Sequence, residues 1–259
     1  MTYTPAEMMT VAAARALSDG DVCFVGIGLP SAACNLARLT HAPRIHLIYE
    51  SGTLGTKPEV LPLSIGDGEL CETALTTVTV PEVFRCWLQG GRINVGFLSG
   101  AQVDRFGNLN STVIGDYTKP KVRLPGSGGA TEIATGCGQV FIVVRHGTRS
   151  FVTQLDFLTT LGHGRTGRER RELGIRTKGP ALLVSDLCIM RPDPETNELV
   201  VTSLHPGIGC QQVRENTGWD VRFAETVAAT ERPTAMELET LRDLRARTAR
   251  AHVVAGGSE

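Results

Sequence analysis

The stretch from Val22 to Glu50 constrains this chain more than any other part of it. Val22 to Ile27 is a short apolar run suited to a buried strand, and Gly26-Ile27-Gly28-Leu29-Pro30 reads as a turn. Pro30-Ser31 opens a helix that runs to about Leu39, and residues 44–50 form a second apolar strand closed by Glu50. Strand, glycine turn, helix, strand is a βαβ unit, so the two strands lie parallel and are joined by a right-handed crossover. The expected fold is therefore α/β, a single open, mostly parallel sheet domain flanked by helices.

The rest of the chain extends that pattern. Residues 5–19 read as a helix, with Thr4 as its cap, Pro5 in its first position and Glu7 three residues beyond the cap. Residues 51–68 are rich in Gly, Pro, Thr and Ser and are expected to form a long loop. Residues 81–89 suggest a helix stopped by Gly90-Gly91, and residues 93–98 a buried strand. A turn at 104–108 precedes a returning strand at 109–114. Gly126-Ser127-Gly128-Gly129-Ala130 is a second glycine loop, followed by a short helix to Thr135. Residues 139–145 and 151–155 suggest a strand pair, and residues 162–179 a surface loop. Residues 181–190 and 199–204 suggest further strands, and residues 234–252 an amphipathic C-terminal helix. No internal repeat or linker divides the chain, so one domain over residues 1–259 is expected.

Composition narrows the function classes. The 259 residues are 41% hydrophobic, enough for a sizeable core. A net charge of −1 without long single-sign blocks, and only 5% aromatics, argue against a nucleic-acid surface. The seven cysteines, at 23, 34, 71, 86, 137, 188 and 210, are odd in number and scattered, as in reduced intracellular proteins. The six histidines also lack metal-ligand spacing, so no metal site is expected. Residues 1–20 carry acids and a helical pattern instead of a leader, and no apolar run reaches the ~18 residues of a membrane span. The expectation is a soluble, cytoplasmic protein.

Several residues invite chemistry, and each also has a plainer reading. Glu50 ends an apolar strand just ahead of Ser51-Gly52, at the strand end where α/β proteins bind ligands. It is either a reactive carboxylate or a handle for a sugar hydroxyl, and a turn cap or ion pair is its plain alternative. Gly26-x-Gly28, with Glu50 placed 22 residues beyond Gly28, imitates a dinucleotide fingerprint. Ser31 stands where the third glycine belongs, which favours a simple strand-to-helix turn. The loop Gly126 to Ala130 lacks the Lys-Ser/Thr of a P-loop. Its free N–H groups suit a phosphate or a developing oxyanion, and a flexible turn is the alternative. Gln102 could donate to a thioester oxygen, although amides beside turns, Gln102 and Asn108 among them, usually satisfy backbone groups. A solvated face outranks an anion site for Arg165, Arg168, Arg170 and Arg171, and a satisfied turn histidine outranks a general base for His205.

Taken together and in order, these segments resemble a known family. They are Tyr49-Glu50-Ser51-Gly52, Gly100-Ala101-Gln102-Val103-Asp104, Phe106-Gly107-Asn108-Leu109-Asn110-Ser111, Ile114-Gly115-Asp116-Tyr117, Gly126-Ser127-Gly128-Gly129-Ala130 and Ser203-Leu204-His205-Pro206-Gly207. The chain resembles the beta subunit of class I coenzyme A transferases, nearest the glutaconate CoA-transferase branch, over roughly residues 5–220. The resemblance implies the class I CoA-transferase subunit fold, a separate alpha subunit and an active site formed with it. It implies acyl-CoA and a free carboxylic acid as substrates, with coenzyme A as a substrate and no permanently bound cofactor. It places the nucleophile at Glu50, thioester contacts at Gln102, Gly128 and Gly129, and supporting turns at Ser51, Gly52, Gly26 and Gly28. The rivals are a CoA-ester decarboxylase or ring-opening hydrolase of the same fold, a dinucleotide-binding oxidoreductase subunit, and a scaffold subunit whose Glu50 is idle. The donor and acceptor acids are not legible in the sequence.

Overall fold

The computed structural model describes residues 2–255, with side chains through residue 252. The chain divides into two compact units, one holding the residues up to Asn94 and from Pro233 onward, the other Val95–Arg232.

In the first unit, α1 (Pro5–Arg15) begins as the sequence predicts. Thr4 Oγ1 accepts the Glu7 N–H at 3.2 Å, and the Glu7 carboxylate accepts the Thr4 N–H at 2.8 Å, which closes a capping box. The helix is shorter than its pattern and is capped at Ala16. The predicted βαβ unit is present as β1 (Val22–Phe24), α2 (Leu29–Leu39) and β2 (His46–Ile48), and the two strands are parallel with Val22 opposite His46. The segment 51–68 is not loop throughout. Its start forms β3 (Thr53–Thr56), antiparallel to β2, and α3 (Gly68–Glu72) follows it. Glycine and threonine gave that strand a loop-like composition, although all four of its residues are buried.

β4 (Thr76–Thr77) pairs antiparallel with β3. The helix expected over 81–89 is instead a single α-turn, α4 (Val80–Glu82), that widens into a π-helical stretch over Val83–Leu88. Hydrogen bonds spanning five residues, from Gln89 N–H to Phe84 O and from Arg92 N–H to Trp87 O, mark the widening. The C-terminal helix Ala235–Ala255 is pinned to α1 by Arg15–Glu237 and Arg242–Glu7, both at 2.7 Å, and buries Leu238, Leu241 and Leu244.

The second unit starts with β5 (Val95–Leu98), followed by two hairpins, β6 (Gln102–Val103) with β7 (Leu109–Asn110) and β8 (Val113–Gly115) with β9 (Pro120–Arg123). The strand expected over 109–114 is thus divided between two hairpins. Then come α5 (Ala130–Gly136), β10 (Gln139–Val143), α6 (Glu169–Glu172), β11 (Pro180–Val184), β12 (Cys188–Pro192), β13 (Leu199–Leu204), α7 (Cys210–Glu215) and β14 (Phe223–Ala229). The sheet order is β5-β10-β11-β12-β13-β14. The β5–β10, β10–β11 and β13–β14 pairs are parallel, and the two between them are antiparallel.

Two further expectations need correction. Residues 151–155 do not pair with β10. Phe151 instead makes one isolated bridge to Val103, with its ring stacked 3.6 Å from that of His146. Residues 181–190 are two strands, because Ser185 Oγ accepts the N–H groups of Leu187 and Cys188 and folds the chain back. The architecture is α/β, with mixed sheets built around parallel crossovers and flanked by helices.

Candidate active site

Glu50 stands at the corner of a tight turn after β2. The Tyr49 N–H donates to Thr53 O at 3.1 Å and the Gly52 N–H to Tyr49 O at 3.0 Å. Tyr49 is fully buried, and its hydroxyl lies 2.7 Å from Ser31 Oγ on α2, so the residue ahead of Glu50 is anchored to the helix of the βαβ unit. Gly52 has φ +108, and a Cβ added there would lie 2.0 Å from Val78 O. No other residue fits this position unless the backbone moves.

The Glu50 side chain is half-buried and has no hydrogen-bond or ion-pair partner among the described residues. The plain readings of Glu50 as a turn cap or half of a salt bridge therefore do not describe it. The hydroxyls of its near neighbours Ser51 and Thr53 are buried and likewise lack partners. Buried polar atoms without partners are uncommon, and two of them beside an unpaired carboxylate mark an unusual turn. Gly28, at φ +85, caps the start of α2, whereas Gly26 has ordinary backbone angles and room for a Cβ. Of the first glycine pair, only Gly28 is required by conformation.

Gln102, Gly128 and Gly129 belong to the second unit. Gln102 is buried. Its Oε1 accepts from Asn110 Nδ2 at 2.8 Å and from the Asp156 N–H at 3.0 Å, while its Nε2 donates to Asp156 Oδ2 at 3.2 Å. One amide hydrogen is left over. Asp156 Oδ2 also accepts the Gly115 N–H at 2.9 Å. Sequence reasoning missed Asp156, because a lone acid in Gln-Leu-Asp-Phe carries no pattern.

The same network reaches the glycine loop. Asn110 precedes Ser111, whose carbonyl accepts the Gly126 N–H at 2.9 Å and whose Oγ donates to Gly126 O at 2.8 Å. Gly128, at φ +47, is exposed, and neither its N–H nor that of Gly129 has an acceptor among the described residues. The loop thus presents two successive free donors ahead of α5.

The plain readings hold for Asn108 and His205, whereas Arg170, expected on a solvated face, is buried with its guanidinium bonded inside the unit. Asn108 Nδ2 donates to Asp104 and to Gly164 O, and its Oδ1 accepts the Gly162 and Gly164 N–H groups. His205 is buried between Ser185 O and Thr230 Oγ1. Among the described residues no three His, Cys, Asp or Glu side chains converge as a metal-binding group, and no helix is long and apolar enough to cross a membrane.

The family profile described as "Coenzyme A transferase" matches residues 6–216. The chain is 63% identical to the beta subunit of the 3-oxoadipate CoA-transferase of Pseudomonas knackmussii, over 99% of each chain. It is 37% identical to the beta subunit of the glutaconate CoA-transferase of Acidaminococcus fermentans, over 87% of this chain and 86% of that one. The crystal structure of that glutaconate coenzyme A-transferase superposes with a TM-score of 0.88 at 32% identity, covering 93% of this chain and 94% of that one. The chain belongs to the coenzyme A transferase family. Within it, the chain is a class I beta subunit.

Proposed function

We propose that this chain is the beta subunit of an acyl-CoA:carboxylate CoA-transferase that works with a separate alpha subunit and carries the exchanged coenzyme A on Glu50. One observation supports the assignment above the others: a carboxylate held at the corner of a glycine-forced turn, half out of water, with no partner to neutralise it. A carboxylate is a modest nucleophile and gains from both features.

The exchange balances without an outside reactant. A Glu50 oxygen attacks the thioester carbonyl, and the tetrahedral adduct collapses to a mixed anhydride with loss of coenzyme A thiolate. The thiolate attacks the glutamyl carbonyl, forming an enzyme-bound thioester and releasing the donor acid. An acceptor carboxylate attacks that thioester, regenerating an anhydride and the thiolate. Attack of the thiolate on the acceptor's acyl carbon gives the new acyl-CoA and frees Glu50. Each addition develops an oxyanion, and the free N–H groups of Gly128 and Gly129, with the spare amide hydrogen of Gln102, are its donors in this reading. Ser51 and Gly52 form the nucleophile's turn, and Gly28 starts the helix whose Ser31 anchors Tyr49 beside it, a role in which Gly26 is not required. Carbon oxidation states do not change, so the chemistry calls for no resident cofactor.

The 63% identity to a 3-oxoadipate CoA-transferase subunit supports 3-oxoadipate, or a similar short dicarboxylic acid, as one exchanged acid. The test is to mix this chain with its alpha subunit and 3-oxoadipyl-CoA, then reduce with borohydride. The modification is expected on the tryptic peptide that contains Glu50. Modification of another residue, or full activity of this chain alone, refutes the assignment.

A further inference from the structure

Residues 165–178 hold five arginines and one lysine against two glutamates, a local balance of +4 in a chain whose overall balance is −1. The structure gives these cations different roles. Arg170 is buried, and all five of its N–H groups are used inside the unit, on Thr177 O and Oγ1, Leu161 O, Gly162 O and Ala134 O. It is a structural residue. Arg171, Arg176 and Lys178 are exposed, and their side chains meet no carboxylate or hydrogen-bond partner among the described residues. All three line one cavity of about 490 Å³.

The walls of that cavity are fixed. Gly179 has φ +72, and a Cβ there would lie 2.8 Å from Arg170 Nε, so the guanidinium depends on glycine at that position. Thr177 Oγ1 donates to Thr135 O at 2.8 Å. Asn197, in the left-handed region at φ 59, donates from Nδ2 to Gly167 O at 2.9 Å. A rigid concavity edged by three unpaired cations focuses positive potential. Its volume falls within the ~300–1,000 Å³ usual for small-molecule sites.

We propose that this cavity binds a phosphate group, with Arg171, Arg176 and Lys178 as its charged contacts. A phosphate monoester or pyrophosphate carries more charge than a carboxylate and offers several oxygens, which suits two guanidinium forks and an ammonium. The site lies at the other end of α5 from the glycine loop. Arg170 and Thr177 engage the Ala134 and Thr135 carbonyls near the helix C-terminus, whereas Gly128 and Gly129 precede its first residue. The phosphate comes either from a separate metabolite or from the nucleotide end of coenzyme A.

The experiment uses the complex of this chain with its alpha subunit and reads binding directly, so it stands apart from the transferase assignment. Inorganic pyrophosphate is titrated calorimetrically into the wild-type complex and into the Arg176→Ser, Lys178→Ser double variant, whose changed residues are exposed. Expected are binding tighter than about 1 mM that weakens with added salt, and at least a tenfold loss in the variant. No binding to the wild-type complex, or equal binding by both proteins, overturns the proposal. Two further arms identify the source. Weaker binding of coenzyme A, but not of pantetheine, by the variant points to the coenzyme's own phosphates. Undiminished pyrophosphate binding to complex saturated with coenzyme A points to a separate ligand.

Discussion

The carbonyl oxygen of Val78 occupies the place where a side chain on residue 52 would have to stand. A Cβ at Gly52 would meet it at 2.0 Å, and the Val78 N–H in turn donates to Gly52 O at 2.9 Å. The turn that presents Glu50 is therefore clamped between its own strand and the chain at Val78. Gly52→Ala forces that clamp open at a φ that L-residues avoid. The expected result is a soluble protein whose exchange rate falls by about 10²-fold or more, the usual cost of misplacing a reacting group by an ångström. Steady-state kinetics of the alpha–beta complex, alongside a thermal melt to confirm folding, checks this.

Glu50→Gln removes the charge with almost no change in shape. Because the native carboxylate has no partner among the described residues, the substitution leaves no orphaned ion, and stability is expected to change little. Exchange is expected to drop at least about 10⁴-fold, as when other covalent nucleophiles are removed, and borohydride should trap no thioester. Retention of more than a tenth of the wild-type rate would make Glu50 an idle residue.

Arg170 tests the difference between a structural cation and the free ones around it. Burial pushes its guanidinium down to about 10, so it is still charged at neutral pH. Arg170→Met leaves four carbonyls without their donor. Hydrogen bonds to charged groups are worth about 1.5–3 kcal/mol each, and a protein of this size loses about 2–4 °C per kcal/mol. A fall in melting temperature of about 5 °C or more is expected. Arg170→Lys should recover only part of it, since an ammonium cannot reproduce the planar fork.

The first fifty residues could be read from local physics. A capping box, a βαβ pattern and a strand-end acid are short-range signals, and the structure contains all three. Signals that depend on distant contacts could not be read. Thr53–Thr56 becomes a strand because Leu47 and Ile48 pair with it, despite a loop-like composition. Phe151 leaves the expected strand pair because the His146 ring, in stacking contact, and the Trp219 ring hold it elsewhere. Among the candidate residues, Glu50 and the glycine loop stood out by residue type and place. Asp156, which holds Gln102, and Arg170, which caps α5, did not, because their roles arise from partners 54 and 36 residues away.

Acid sensitivity follows from the buried imidazoles. Burial pushes His146 down to about 4, against an ordinary 6.5, and its ring nitrogens face Ser185 Oγ and Thr217 Oγ1 at 3.0 Å. Burial also lowers His163 and His205. Between pH 6.5 and about 4 the unfolded chain takes up a proton on His146 that the native chain refuses, and His163 and His205 act in the same direction below 6.5. Stability is therefore full above 6.5 and declines as the pH falls, by about 1.4 kcal/mol per pH unit for His146. A second loss lies lower. The Arg242 hydrogen bond, with the Thr4 N–H, holds Glu7 at about 2 against an ordinary 4.5, so its contribution is complete above 4.5 and disappears toward 2. Urea titrations across pH 4–8 measure the upper limb. His146→Gln is expected to reduce its slope by about one histidine's worth, whatever it does to absolute stability. An unchanged slope would show that His146 takes its proton in the native state as readily as in the unfolded chain.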